Sequence, residues 1–471
     1  MKYLMNSLFL LLYCGFFLVF QPDSALVFFV ISLVLSILAV GNVIKYIRIP
    51  SDICIYDFFA TSLLLAYALS TFVTQIKIYS LKSIDVGRYF SIGQASLSMA
   101  LAGVSFSCAL LVFFSRFFPE KIQFPGFGKD QIRESLLVTA IVTFSGIYCI
   151  FTGIIGFQGF IFADISQQSV SPVALMVNFA LAPVGVLAIF LASGRYEVSQ
   201  TDKWLLYIFA GLLWVIMFTQ ARRLVVYLAM LYVIFYAIDS YGRPVWRKKI
   251  FFSVLVFFVA YFGVKLFYAF RIAGWELAGT KDAVLLLKSG IDVIINPSKY
   301  DFDYLLSENT LERPFVIKYL AQVMEKVSLG RQLSGEALYA TILYSIPSAL
   351  IGFKTFATDE ELIHPRIGLV INDDANTILT TGVADFGWTG LLLYPVLVVL
   401  VLKFLLFMVK KSNIRWMDYF VQFGALFVLL NVENSMTQYW SFVRSTVIVL
   451  IVAFALRFIL NGIYIRKNGL A

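Results

Sequence analysis

The chain has 471 residues, 60% of them hydrophobic and only 14% charged, a balance that excludes a soluble domain and marks a polytopic membrane protein. Its formal charge of +9 does not point to a nucleic-acid partner, because the lysines and arginines are scattered between apolar segments, where they encode topology. The 47 Phe and 25 Tyr suit lipid contact and the aromatic belts at the two membrane interfaces.

A membrane span needs about 20 apolar residues. In chain order such windows fall near 4–20, 25–44, 55–75, 93–115, 135–155, 172–193, 204–221, 224–239, 251–270, 386–409, 417–433 and 441–461. They predict an all-α integral membrane protein of about twelve transmembrane helices. Residues 1–270 hold spans one to nine, 271–375 one large helical outer loop, and 376–471 spans ten to twelve. The opening "MKYLMNSLFLLLYCGFFLVF" imitates a signal peptide but lacks a small-residue cleavage site before "QPDS", so it reads as a retained first span. Cys14, Cys54, Cys108 and Cys149 lie in or beside apolar windows without metal-ligand spacing and read as inert small hydrophobes.

Basic connections set the orientation. With the N-terminus in the cytoplasm, the inner connections carry Lys45 and Arg48; Arg116, Lys121, Lys129 and Arg133; Arg195 and Lys203; "GRPVWRKK" (242–249); "KKSNIR" (410–415); and the "RK" at 466–467. The outer connections 21–24 and 156–171 hold no Lys or Arg, and 76–92, with Lys77, Lys82 and Arg88, is the exception. Both termini then lie inside. Arg222 and Arg223 fall at a tight turn between spans seven and eight, on the outer face and against this bias. A charge at mid-membrane costs about 2.5–3.5 kcal/mol. The pair therefore either snorkels to outer headgroups or forms an anion site.

The long connection is patterned. Residues 314–329 put Val316, Leu320, Val323, Met324 and Val327 on one helical face, and 281–294 is a second short amphipathic segment. Residues 335–353, with Pro347 near the middle, read as an interfacial or half-buried helix. A full crossing there would leave "KKSNIR" outside. The only histidine, His364, stands in what reads as a surface loop with Arg366, Asp373, Asp374 and Asn376, just before span ten. Arg271 ends span nine, Glu433 ends span eleven and Arg444 opens span twelve. Together with Arg222 and Arg223 they form an outer-face set of cations and carboxylates. Asp385, at the outer end of span ten, is placed to cap a helix or pair with an arginine. No Gly-rich phosphate loop, HExxH or Cys/His pattern calls for a cofactor or metal. Adjacent acids such as Asp373 and Asp374 are more often solvated than metal-binding.

Four stretches carry a family resemblance: "TQARRLVVYLAMLYVIFY" (219–236), "FRIAG" (270–274), "LYSIPSALIGFK" (343–354) and "DDANTILTTGVADFGWTGLLLYP" (373–395). From about residue 204 onward the chain resembles the Wzy-type O-antigen and oligosaccharide repeat-unit polymerases. The resemblance implies a GT-C-like membrane glycosyltransferase of the bacterial inner membrane with a periplasmic active site. Its donor and acceptor would be glycans on undecaprenyl pyrophosphate, it would need no metal, and a chain-length regulator would be its partner by analogy. The leaving lipid pyrophosphate gathers negative charge, which planar, permanently charged arginines bind in bidentate fashion. The resemblance thus implies pyrophosphate contacts from Arg222 or Arg223 with Arg271, and then Arg366 and Arg444. The acceptor hydroxyl needs a general base. His364, with an unperturbed pKa of about 6.5, is the first candidate, and Glu433 and Asp374 are its rivals. Two other functions remain open. An O-antigen ligase would use lipid A core as acceptor. A lipid-linked oligosaccharide flippase would typically have short loops and functional charges near the midplane.

Overall fold

The computed structural model describes residues 25–49, 52–80, 92–118, 121–122, 127–152, 154, 172–193, 196–218, 222–236, 246–277, 283–300, 302, 316–346, 359–369, 376–412 and 414–468. Among them the chain is almost wholly helical, and its one β contact is an isolated bridge between Cys54 and Lys121. The helices are α1 (Ala25–Arg48), α2 (Ile55–Leu64) running through a π-helical turn (Leu65–Leu69) into α3 (Ser70–Ser80), α4 (Gln94–Phe117), α5 (Lys129–Phe151) and α6 (Pro172–Ala192). Then come α7 (Gln200–Phe218), α8 (Arg222–Tyr236), α9 (Trp246–Glu276), α10 (Ala283–Ile295), α11 (Val316–Ser328) and α12 (Glu336–Ser345). The last five are α13 (Asp359–Ile367), α14 (Ile378–Phe386), α15 (Gly390–Ser412), α16 (Arg415–Leu430) and α17 (Met436–Asn468). Six apolar helical stretches among the described residues are long enough to cross a membrane: Phe28–Arg48, Ile55–Ile76, Ala95–Phe117, Gln131–Phe151, Ser253–Glu276 and Ile378–Ser412. The expected first span, 4–20, lies outside the described residues.

The last of these stretches is not one rod. Gly387 adopts φ 59°, a left-handed conformation that only glycine takes without strain, and the chain reverses there. Gly382 and Gly390 then meet backbone to backbone, and a Cβ on Gly390 would fall within the Gly382 carbonyl. In a straight helix residues eight apart stand about 12 Å apart along the axis. Here α14 instead folds back along α15 as a short re-entrant arm, with Tyr394 packed on Gly382. Expected span ten, 386–409, corresponds to α15 alone.

The two ends of the bundle differ. At one end Ile122 N–H donates to the Ile53 carbonyl, Lys121 pairs with Asp52 at 2.7 Å, and Lys403 covers the rings of Tyr56 and Phe118. Phe127 packs on Tyr419 and Tyr196, at 4.4 and 5.3 Å between ring centres. These contacts gather the end of α4 and the starts of α2, α5 and α16. Lys45, Arg48, Arg116, Lys129, Arg133, Lys203, Lys410, Lys411 and Arg415 stand on helix ends that close here.

The opposite end is capped by α11 to α14. Val316, Leu320, Val323, Met324 and Val327 of α11 are all buried, as their spacing predicts. Burying each is worth roughly 1.5–3 kcal/mol when the alternative is water. The face lies on α4 and α14, with Met324, Leu391 and Trp388 closing over Gly103. Leu333 and Ser334 donate their amides to the carbonyls of Ala384 and Asp385, splicing the α11–α12 turn onto the end of α14. The expected interfacial helix at 335–353 appears as α12, which packs against α17 with Thr341 and Thr437 hydroxyls 3.4 Å apart; residues 347–358, Pro347 included, lie outside the described residues. The second amphipathic segment is α10, which packs back on α9 with Phe270 against Gly290. The described helices α11 to α13 are thus part of the bundle's core packing.

Gly390→Ala should remove folded protein, because overpacking by one methyl against fixed backbone costs about 1–3 kcal/mol or more. Gly41→Ala, where a Cβ meets nothing within 4 Å, should be silent. Fluorescence-detected gel filtration of the two variants checks this, and equal monodisperse yield would mean the α14–α15 hairpin is not packed this way.

Candidate functional site

The re-entrant arm begins deep in the bundle. Thr377 caps α14 by accepting the Thr380 amide at 3.2 Å, and its own amide donates to the Asn376 side chain at 2.9 Å. The Tyr67 hydroxyl meets Thr377 Oγ1 at 2.6 Å. Tyr67, Thr377, Thr380 and Thr381 are fully buried, and Asn376 nearly so. Tyr67 sits in the π-helical turn between α2 and α3, where one extra residue per turn re-aims a side chain, a device common at functional sites. Non-helical backbone at membrane depth is tolerated only where protein or a polar cavity covers it. Here the Asn–Thr run and the tyrosine supply the partners, and the positive end of the α14 dipole faces the middle of the bundle. Tyr439 of α17 is buried, its ring centre 6.3 Å from that of Phe59 in α2.

Asp385, at the other end of α14, accepts the amides of Ala337 and Leu338 at 3.0 and 2.9 Å, and the Tyr394 hydroxyl. It caps α12, where a carboxylate is favoured by the helix dipole, which answers the choice between cap and arginine partner.

The arginines divide into three groups. Arg222 and Arg223 are the first two residues of α8; their side chains lie outside the described atoms. Trp214 Nε1 donates to the Val225 carbonyl at 3.2 Å, and both residues line the notch at Gly263 of α9. The short connection 237–245 makes α8 and α9 antiparallel. Arg222 is then about 4.5 Å beyond this level and Arg271 about 12 Å beyond it, in the same direction and towards the capped end. Arg271 is half-buried, with its guanidinium 4.9 Å from the Trp275 ring centre. Arg366 is exposed and pairs with Glu336 at 2.8 Å, a surface pair worth about 0–1 kcal/mol. Its charge is directed at Glu336 in the first turn of α12. Arg444 lies two turns inside α17, half-buried, and makes no hydrogen bond or ion pair among the described residues.

The three candidate bases part company. His364 is not in a surface loop: α13 carries it, fully buried, with its ring edge-on to Tyr319 at 5.2 Å. Its burial follows from the packing of α13 on α11, α12 and α14. Glu433 is half-buried in the α16–α17 connection, beside an Asn431–Asn434 side-chain bond of 2.7 Å. Asp374, like Asp373, lies outside the described residues. No group of three or more His, Cys, Asp or Glu comes together as a metal site among the described residues.

Sequence reasoning missed Tyr67 and Thr377. For Thr377 a signal exists: "NTILTT" is a polar cap opening an apolar run. For Tyr67 none does, because the π-turn that aims it leaves no periodic trace.

Asp385→Ala should lower the melting temperature by the loss of a helix cap, about 1–2 kcal/mol, with Asp385→Asn intermediate. A thermal shift unchanged in Asp385→Ala would show that the carboxylate does not hold α12. No family model, curated protein or solved structure matches this chain.

Proposed function

We propose that the chain is a Wzy-type membrane glycosyltransferase that polymerises oligosaccharide repeat units carried on undecaprenyl pyrophosphate. In this reading twelve spans place both termini in the cytoplasm, and the capped end faces the periplasm of a bacterial inner membrane. The carrying observation is the separation of cations. One end of the bundle collects the basic helix ends expected of a cytoplasmic face, whereas Arg222, Arg223 and Arg271 stand towards the other.

The chemistry asks for that placement. Breaking the donor's glycosidic bond leaves charge on a lipid pyrophosphate, and preorganised cations aimed at developing charge are worth about 3–4 kcal/mol each. The bulk of α11 to α14 would exclude water from the transfer. His364, Glu433 and Asp374 remain the candidates for deprotonating the acceptor hydroxyl. A chain-length regulator as partner, and the choice of polymerase over O-antigen ligase, rest on the resemblance.

One observation favours a second reading, a flippase for the same lipid-linked glycans. Discontinuous helices whose N-termini point into the bundle are also how transporters bind substrates near the midplane, and α14 is such a helix.

Purified protein in lipid, given only its lipid-linked repeat unit, should make a ladder of longer lipid-linked glycans. Arg223→Ala and Arg271→Ala should express normally and make none, and lysine at either position should restore little, since bidentate geometry is lost. Normal ladders from both alanine variants would remove the pyrophosphate role. If the unmodified protein elongates nothing, addition of lipid A core and a vesicle translocation assay separate ligase from flippase. His364→Ala with unchanged activity at every pH would pass the base role to Glu433 or Asp374.

A further inference from the structure

The exposed stripe of α9 stops where α10 covers it. Phe251, Leu255, Phe258, Phe262 and Leu266 follow one another at helical spacing and are 40–69% exposed. On an apolar span this is the face turned to lipid. The same stripe continues as Ala269 and Ala273, and both are fully buried, in one apolar cluster with Val293 of α10 and Phe302 just beyond it. Two alanines let a second helix approach closely. Beside them Gly290 of α10 takes the Phe270 ring, where a Cβ would leave no room. α10 therefore lies on the lipid side of α9.

The outward side of α10 is itself divided. Gly290 and Val293 face α9, whereas Leu287, Ile291 and Ile294 form a second apolar stripe that is 42–54% exposed. Lys288 and Asp292 make a polar edge next to it, which the bonds of Asp292 to Asn296, Lys299 and Tyr300 extend. One apolar and one charged stripe, both outward, are the pattern of a helix held at a membrane interface. Depth agrees with that pattern. Arg247, Lys248 and Lys249 at the start of α9 mark one boundary of the hydrocarbon. Crossing a core of about 30 Å takes about 20 residues of helix, which brings α9 to the opposite boundary near Phe270, where Gly290 packs.

We propose that α10 is a lipid-docking helix seated at this far boundary of the bilayer, with Leu287, Ile291 and Ile294 among acyl chains and Lys288 and Asp292 towards headgroups and water. The bilayer is the occupant because α10 takes the place of α9's own lipid-facing stripe, at the depth where that stripe would leave the hydrocarbon. The segment is thus part of the membrane-embedded surface and not a free loop helix. It anchors the end of α9, where Arg271 follows Phe270, at headgroup depth. None of this depends on the transferase reading.

The test is nitroxide scanning of the full chain in phosphatidylcholine nanodiscs. Labels go on Leu287→Cys, Ile291→Cys, Ile294→Cys and Lys288→Cys, with Phe258→Cys of α9 as the lipid-facing reference and the unmodified chain setting the background of the native cysteines. All five side chains are exposed, so replacing them leaves the packing of α9 and α10 intact. Collision with oxygen, relative to a water-soluble nickel chelate, should be several-fold higher at Leu287, Ile291 and Ile294 than at Lys288. It should be highest at Phe258, which lies deeper. A ratio at the three stripe positions no higher than at Lys288 would put the stripe in water and overturn the proposal. A stripe closed to both reagents would overturn it too, since protein would then cover α10, and line broadening between labels would identify that protein as a second copy of the chain.

Discussion

The contact on which the rest depends is that of two glycine backbones, Gly382 on Gly390, at the hairpin where α14 turns back along α15. Only because neither residue carries a Cβ can the arm lie flat against its partner, and only then does its N-terminus reach the interior of the bundle. A helix end in a membrane brings unsatisfied amides with it, and each would cost several kcal/mol in hydrocarbon. The surroundings of α14 follow from that demand: Thr377 and Asn376 satisfy its first turn, and Tyr67, re-aimed by a π-turn, closes over them.

The far end of the same arm organises the cap. Asp385 fixes the start of α12, the amides of Leu333 and Ser334 tie the preceding turn to α14, and α11 covers the hairpin with its apolar face. The short buried segment α14 and the helices over this end of the bundle therefore form one packed unit. Such coupling matters for a transferase, which must hold a lipid head, a sugar and a base in register. It would matter equally to a transporter, whose broken helix moves with the bundle around its substrate.

Charge is arranged on a larger scale than pairs. The ion pairs Lys121–Asp52, Lys299–Asp292 and Arg366–Glu336 are all solvent-accessible and add little to stability. Asp292 is held below the usual carboxylate range by the Tyr300 hydroxyl first, then by Asn296 and Lys299. A depressed carboxylate contributes its stability above its unfolded pKa and loses it as pH falls, so this staple of α10 to the turn after it loosens on acidification. Arg444 departs from the pattern. An arginine half-buried in an apolar helix, with no counter-ion among the described residues, is stable only if its charge is solvated or otherwise met.

What the sequence determined by itself is what depends on composition and local period. Its apolar windows name the helices, its basic connections sort the helix ends, and the spacing of Val316, Leu320, Val323, Met324 and Val327 marks a buried face, because hydrophobicity and 3.6-residue periodicity act along the chain. Even "GVADFGWTG" showed an acid and glycines at a helix end. It did not show a reversal, since a straight span and a hairpin share one hydropathy. Only the tertiary structure decided that α14 turns back, that His364 is buried against Tyr319, that Arg366 pairs with Glu336, and that the Tyr67 hydroxyl meets Thr377. Apart from the hairpin, where Gly382 meets Gly390 eight positions on, those facts are contacts between residues tens to hundreds of positions apart, and no local pattern encodes which faces meet until close packing selects them.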